Sequence, residues 1–452
     1  MTTAPHARGL PGPAATKTST RSAAPATPQV TLLSRPLASY YIIVGATVLL
    51  LGIGLVMVFS ASSITEYEKT LQRTGVGSSS GLFRKQLMWV AIGLPAMALA
   101  SRLPVRFFRA LAYPLLILAI VLLVLVFVPG IGFGVNGSVR WIGYGPFTLQ
   151  PSELAKLGLA LWGADLFARK PKLLDQWKHI YIPLLPVATV IVALIMLEPD
   201  MGTTLVVLCI VISLMWLAGV PGRQFAGLLG AIAAFSGFIA IAEPYRLARL
   251  QAWLHPERDA LNKGLQAVQG KIGIAQGGWF GLGLGNSRQK WGILPNSQTD
   301  FIFAIIGEEL GLLGTLIVVA LFALLAYAGI RIAQRSTDQF SRYAAAAVTV
   351  WLLSQAIINM GAVVGLVPIT GIPLPLISFG GSALVPTLFA LGMLASFARR
   401  EPGAAEALAA RGTGPVQHAM RWAARYYGFG PAPSAGTSPA RRRRRRRASS
   451  QP

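Results

Sequence analysis

The chain has 452 residues, 54% of them hydrophobic and only 12% charged, with a mean hydropathy of +0.58. No water-soluble domain of this length carries that balance, and apolar runs of about 18 or more residues recur, long enough to cross a roughly 30 Å hydrocarbon layer. A net charge of +24 would suit nucleic acid, but the cations of the body sit in short stretches between apolar runs. Their job there is to set membrane topology, so a nucleic-acid partner is excluded.

In chain order, residues 1–39 are polar and rich in Pro, Ala and Thr, with no signal-peptide pattern. They are expected to form a disordered cytoplasmic tail. Apolar runs between breakers then predict ten spans over residues 40–400, at about 40–60, 87–101, 110–128, 151–168, 180–197, 203–219, 225–242, 301–330, 343–366 and 382–398. The eighth is longer than a bilayer needs and should tilt or project. Residues 401–452 form a second disordered tail, ending in the run Arg441–Arg447. The ten-residue alternating segments of a membrane β-barrel are absent, so the fold class expected is all-α and polytopic.

Orientation follows from the cations of the short loops. Eleven Lys and Arg lie in 102–109, 169–179, 220–224 and 331–342, against five in the short loops of the other side. The positive-inside rule places the first set, and both tails, in the cytoplasm. The loop 243–300 then faces outside, although it carries Arg246, Arg249, Arg258, Lys263, Lys271, Arg288 and Lys290. Long loops translocate regardless of charge, so these cations point to an anionic ligand outside the membrane. Within that loop, LNKGLQAVQGKIGIAQGG has helical periodicity and is expected to lie along the interface.

Three constellations could carry chemistry. Asp300 stands where the loop GLGLGNSRQKWGILPNSQTD enters the eighth span, beside Arg288 and Lys290. The alternative role for it is a helix cap, since Asp at a helix start satisfies free N–H groups. Glu153 and Lys156 are three apart on one face of the fourth span, with Arg140 and Trp141 just before it. Ionisable groups in a span face the bundle interior, where this pair either binds substrate or merely neutralises itself. Finally, GIPLPLISFGGS at 371–382 has two prolines and two adjacent glycines at an outer boundary. Irregular backbone at that depth is tolerated where protein or water covers it, so this stretch either lines a cavity or packs as a re-entrant element. Its Ser378, Gly380 and Gly381 are the residues expected to meet substrate. Gln355 and Asn359, four apart, read as hydrogen-bonding glue between helices. Glu308 and Glu309 read as buried structural groups, with a proton relay as the alternative. Gly281, Gly283 and Gly285 lack the spacing of a nucleotide fingerprint, and no Cys/His pattern calls for a metal. No cofactor is expected. A divalent cation would be compatible with the chemistry, but no cluster demands one. The lone Cys209 rules out an intramolecular disulfide.

Four blocks in order resemble the SEDS (shape, elongation, division, sporulation) family of membrane glycosyltransferases: GSVRWIGYGPFTLQPSELAKL, LEPDMGTTLVV, residues 281–311, and NMGAVVGLVPITG through PLPLISFGGS. The wording GLGNSRQKWG is closer to the cell-division branch than to the elongation branch. The resemblance covers about residues 40–400. It implies polymerisation of lipid II, the undecaprenyl-pyrophosphate-linked disaccharide-pentapeptide, into septal glycan outside the bacterial cytoplasmic membrane. It also implies a class B penicillin-binding transpeptidase and other division proteins as partners. The family's proposed catalytic Asp maps onto Asp300, and its Glu and Lys map onto Glu153 and Lys156. One departure is Asn296, where the family often has Glu.

The residues suit that reaction. A carboxylate with an ordinary pKa of about 3.9 is ionised and can take the acceptor hydroxyl's proton. The pyrophosphate leaves as an anion and needs positive charge rather than an acid, for which Arg140, Lys156, Arg288 and Lys290 are the candidates. A single displacement inverts the donor's α linkage to β. The rival readings are a transporter flipping lipid II and a non-catalytic scaffold. A transporter needs polar groups near mid-membrane, whereas most candidates here sit at the outer ends. The Arg441–Arg447 run is expected to meet anionic lipid and an acidic cytoplasmic partner, such as the tail of the tubulin-like division protein FtsZ.

Overall fold

The computed structural model describes residues 37–404, apart from 75, 136–137, 145–146, 170–176, 228–229, 231–250, 252 and 260–263. The seventh predicted span (225–242, almost entirely) and both tails, 1–36 and 405–452, lie outside the described residues. Six helices precede that gap: α1 (Ala38–Thr74), α2 (Gly81–Ala100), α3 (Val105–Leu125), α4 (Pro151–Arg169), α5 (Trp177–Leu197) and α6 (Met201–Leu217). Four follow it: α7 (Leu265–Gly277), α8 (Ile302–Arg335), α9 (Gln339–Val364) and α10 (Gly381–Ala398). Apart from α7, each lies over a predicted span.

By length and composition, α3, α8, α9, α10 and Ala38–Gln72 of α1 are able to cross a membrane. Helix α4 is not among them, because it carries Glu153, Lys156, Asp165 and Arg169. It is nonetheless the most deeply buried of the described helices, with every residue from Pro151 to Phe167 buried except the half-buried Leu154. That inversion is what a membrane imposes: apolar faces cost little against lipid, so the polar helix goes to the centre, between α3, α6 and α9. Its far end is closed by Asp165, fully buried and paired with Arg109 and with Arg169 Nε at 2.6 Å. Asp165 is thus a charge-paired end group rather than a mid-membrane one. At the same end Glu401 lies 3.6 Å from both Arg331 and Arg335, fixing the chain after α10 to the last turns of α8.

At the other end, the segment between α3 and α4 forms a three-stranded antiparallel sheet, β1 (Gly132–Val135), β2 (Ser138–Tyr144) and β3 (Phe147–Leu149). The span pattern predicts only a loop there. The alternation GFGV–SVRWIGY around Asn136–Gly137 is nonetheless a hairpin signal, legible without the structure.

Helix α7 forms as the periodicity predicts, but it packs on α8 and α9. Ala267, Gly270, Gly273 and Gly277 make its buried face. Small residues let backbones touch: a Cβ on Gly277 would collide with the Gly307 carbonyl oxygen. The long eighth span is broken within its length. Gly311 has φ 68° and ψ −164°, a conformation open essentially to glycine alone. The bonds lost across the break are replaced by a loop strand. Leu282 and Gly283 donate to the Glu308 and Glu309 carbonyls, and Leu312 and Leu313 donate to those of Gly278 and Trp279.

Candidate active site

The irregular stretch between α9 and α10 organises one end of the bundle. A Cβ on Gly54 of α1 would lie 2.7 Å from the Leu376 carbonyl oxygen, and Leu374, Leu376 and Ile377 are buried. The non-helical backbone is therefore covered by protein, as its depth requires. Its carbonyls are met by α9: Gln355 Nε2 donates to Pro373 O at 3.1 Å, and Asn359 Nδ2 to Ile372 O at 2.7 Å. The i,i+4 amide pair does serve as glue, holding a loop as well as helices.

Asp300 is half-buried, and its own carbonyl and those of the two residues before it tie it to this stretch and to α9. Asn359 Nδ2 also donates to the Asp300 carbonyl oxygen at 2.8 Å, Ser378 Oγ to Thr299 O at 2.7 Å, and Phe379 N to Gln298 O at 3.0 Å. A Cβ on Gly371 would stand 3.6 Å from Asp300 Oδ2, so the carboxylate faces a glycine that leaves it room. Phe301 occupies the N-cap position of α8 and makes no side-chain capping bond, so Asp300 stands one residue before the cap.

Glu153 and Lys156 are both buried, with Lys156 Nζ 2.8 Å from Glu153 Oε1 and 2.8 Å from Gln355 Oε1, above the Trp351 ring. Through Gln355 this pair meets the same stretch that holds Asp300. Glu153 Oε2, Ser152 Oγ and Asn359 Oδ1 are buried there without a hydrogen-bond partner.

The other expected binding residues divide. Arg288 is exposed. Lys290 is buried and bonded to Gly285 O, with Ser60 Oγ and Glu309 Oε1 each 3.4 Å away. The basic strip is therefore one exposed charge and one neutralised one. Glu308 anchors the same turn by accepting from Ser287 Oγ and the N–H groups of Arg288 and Gln289, while Glu309 accepts from Ser287 N and Ser60 Oγ. Two adjacent buried carboxylates thus pin the loop leading to Asp300. Ser378 is buried by its bonds to Leu374 N and Thr299 O, and Gly381 lies flat against the Trp89 ring. Gly380 alone of that group faces open space.

Arg140, on β2, clasps the turn between α5 and α6: Nε donates to Glu198 O at 3.0 Å, Nη2 to Pro199 O, and Nη1 lies 3.7 Å from Asp200 Oδ2. Asp200 caps α6 by accepting from Thr203 N. The motifs give this turn no place in the site, although an Asp just before an apolar run is a capping signal. Glu198, 1% exposed, has no hydrogen-bond partner on either carboxyl oxygen. Burial, reinforced by the Asp200 charge and opposed by Arg140, pushes its pKa up to about 8. Between the ordinary value of 4.5 and about 8, the folded chain keeps a proton that the unfolded chain releases. Raising pH through that window therefore costs the folded state stability, with nothing further lost above it. Glu198→Gln should flatten this dependence, read as the thermal unfolding midpoint in detergent from pH 5 to 9; an unchanged slope would place the titration elsewhere.

Beside these groups lies a cavity of about 370 Å³, lined by Trp89, Ile142, Leu149, Leu154, Val385 and Pro386 among others, and almost wholly apolar. A polytopic helical membrane protein that gathers a half-buried carboxylate, a buried cation and an apolar cleft at one end is built to act on an amphiphile. Comparison with known proteins narrows the class. The chain belongs to the cell cycle protein family of FtsW, RodA and SpoVE, whose model matches residues 41–402. It is 44% identical over 400 residues to a Mycobacterium tuberculosis protein named "Probable peptidoglycan glycosyltransferase FtsW", covering 88% of this chain and 75% of that one. Among solved structures it resembles a peptidoglycan synthase complex that coordinates polymerization and crosslinking, with TM-score 0.66 and 29% identity over 79% of this chain and 97% of the other. It also resembles the rod shape determining protein RodA of Thermus thermophilus, with TM-score 0.59 and 27% identity over 80% and 97%.

Proposed function

We propose that this chain is a septal peptidoglycan glycosyltransferase that polymerises lipid II, with Asp300 as general base. The observation that carries the reading is the fixing of Asp300, through its own carbonyl and that of Thr299, to the same region that Gln355 joins to the Lys156–Glu153 pair. In this reading the site end faces outward and the Asp165 and Glu401 ends face the cytoplasm. Asp300 accepts the proton of the acceptor sugar's 4-hydroxyl as that oxygen forms its bond to the donor's anomeric carbon. The bond to the pyrophosphate breaks, and the leaving anion is met by the exposed Arg288, while Lys156, paired with Glu153, holds Gln355 and through it the stretch beside Asp300. Lys290, Arg140 and Ser378 hold the loops in place rather than touch the substrate, and the apolar cleft suits the start of a prenyl chain. No cofactor is assigned; among the described residues no three His, Cys, Asp or Glu side chains gather as metal ligands.

The polar side chains within the helices, which a transporter would need for its cargo, have structural partners: Asp165 its arginines, Glu308 and Glu309 the 287–290 turn, Gln355 and Asn359 the loop carbonyls. That supports the enzyme over a flippase. We further assign a class B transpeptidase and other division proteins as partners, septal localisation in the bacterial cytoplasmic membrane, and FtsZ as a partner of Arg441–Arg447. Purified protein given lipid II should make glycan polymer, and in sealed vesicles should leave labelled lipid II in its original leaflet. Movement without polymer would make it a transporter.

A further inference from the structure

The strand that repairs the α8 break carries the most exposed aromatic side chains of the described chain's Asp300 end. Trp279 is 67% exposed and Phe280 81%. Their position is not free. The Trp279 carbonyl accepts from Leu313 N and the Gly278 carbonyl from Leu312 N, so the pair is fixed beside the first turn of the unbroken helix Leu312–Arg335. At 1.5 Å per residue that helix is about 36 Å long, the thickness of the hydrocarbon core and part of the headgroup layer. Leu312, Leu313, Leu316 and Ile317, the outward residues of its first turns, are exposed as well. The aromatic pair thus continues an apolar face that composition commits to lipid, at the level where that helix leaves the hydrocarbon.

The charge around it agrees. From residue 277 to 299 the chain has no acid, and of its two cations Lys290 is buried against Glu309 while Arg288 is exposed. Trp291, 65% exposed, follows in the same loop. Aromatic rings flanked by a cation are what the interface between hydrocarbon and anionic headgroups takes up.

We propose that the Trp279 and Phe280 side chains, with Trp291, enter the headgroup region of the outer leaflet, a lipid contact that sets the height of Asp300 at the membrane surface. The orientation rests on the functional reading above, but the occupant is phospholipid of the bilayer rather than a substrate or a partner chain. Glu308 and Glu309 link the two ends of this device, since they pin 287–290 and lie on the helix segment that begins two residues after Asp300.

The test uses the full chain alone in nanodiscs of phosphatidylethanolamine and phosphatidylglycerol, in a Cys209→Ser background. Phe280→Cys carries an environment-sensitive dye, and Asn286→Cys, exposed in the same loop, serves as the control. At position 280 the dye should be blue-shifted, strongly quenched by lipids spin-labelled near the headgroup and at least about threefold less quenched by aqueous iodide than at position 286. Free quenching by iodide at 280, or shielding that arises only on adding a transpeptidase, would overturn the lipid contact in favour of a protein one. Equal lipid quenching at both positions would also overturn it, since the dye and not the site would then drive insertion. None of these readouts depends on polymerisation, so they stand apart from the catalytic reading.

Discussion

Asp300→Asn should yield a normally inserted protein that makes no measurable glycan polymer from lipid II. The substitution keeps the size of the side chain and removes its capacity to take a proton. Three bonds that place this segment are made to backbone: the Asp300 carbonyl accepts from Asn359, and the neighbouring Thr299 and Gln298 carbonyls accept from Ser378 and Phe379. None requires the carboxylate. At the start of α8, where Phe301 holds the N-cap position, Asn keeps the side-chain oxygen with which Asp accepts from backbone N–H groups. Loss of a general base costs about 10²–10⁴-fold in rate, well beyond what a small shift in stability produces. Polymer length and yield on a gel, with the thermal unfolding midpoint of the same preparation, read the two effects separately. Wild-type yield would remove Asp300 from the chemistry and move the search to Glu153.

Lys156→Ala should abolish polymerisation and also weaken the fold, so it needs a companion. Both partners are buried, and removing one leaves Glu153 an uncompensated charge in the bundle, a cost of about 3–5 kcal/mol. Lys156→Arg keeps the charge, but a planar fork does not replace a point charge held between Glu153 Oε1, Gln355 Oε1 and the Trp351 ring, so partial activity is expected. The decisive variant combines Glu153→Gln with Lys156→Met, which removes both charges and leaves no buried ion. It should unfold within a few degrees of wild type and still make no polymer. Wild-type polymer from the double variant would reduce the pair to a packing element.

How much of this was legible in the sequence varies with the range of the interaction. The pairing of Glu153 with Lys156 follows from three residues on one helix, and the amide pair Gln355 and Asn359 from four. Both were readable and both found their expected kind of partner. The strands at 132–149 were readable in principle, because hairpin turns are local. The break at Gly311 was not. GEELGLLG reads as continuous helix, and only the return of residues 278–283 to the broken ladder makes the break tolerable. The same holds for Lys290, which looks like a surface cation beside Arg288 until Glu309 is brought against it.

The sequence by itself determined that this is a polytopic helical membrane protein, where its described helices run, and which acid stands at the mouth of the α8 segment. Hydrophobic transfer acts residue by residue, so a run of apolar side chains commits a segment to the membrane whatever its neighbours do. Only the tertiary structure decided which charges stay available. Arg288 remains exposed and Lys290 does not, Asp300 is placed by the stretch between α9 and α10, and Glu198 is left buried with both carboxyl oxygens unbonded. Those outcomes depend on which carboxylate or amide arrives from a distant segment, and at short range in a low dielectric that arrival outweighs anything the local sequence specifies.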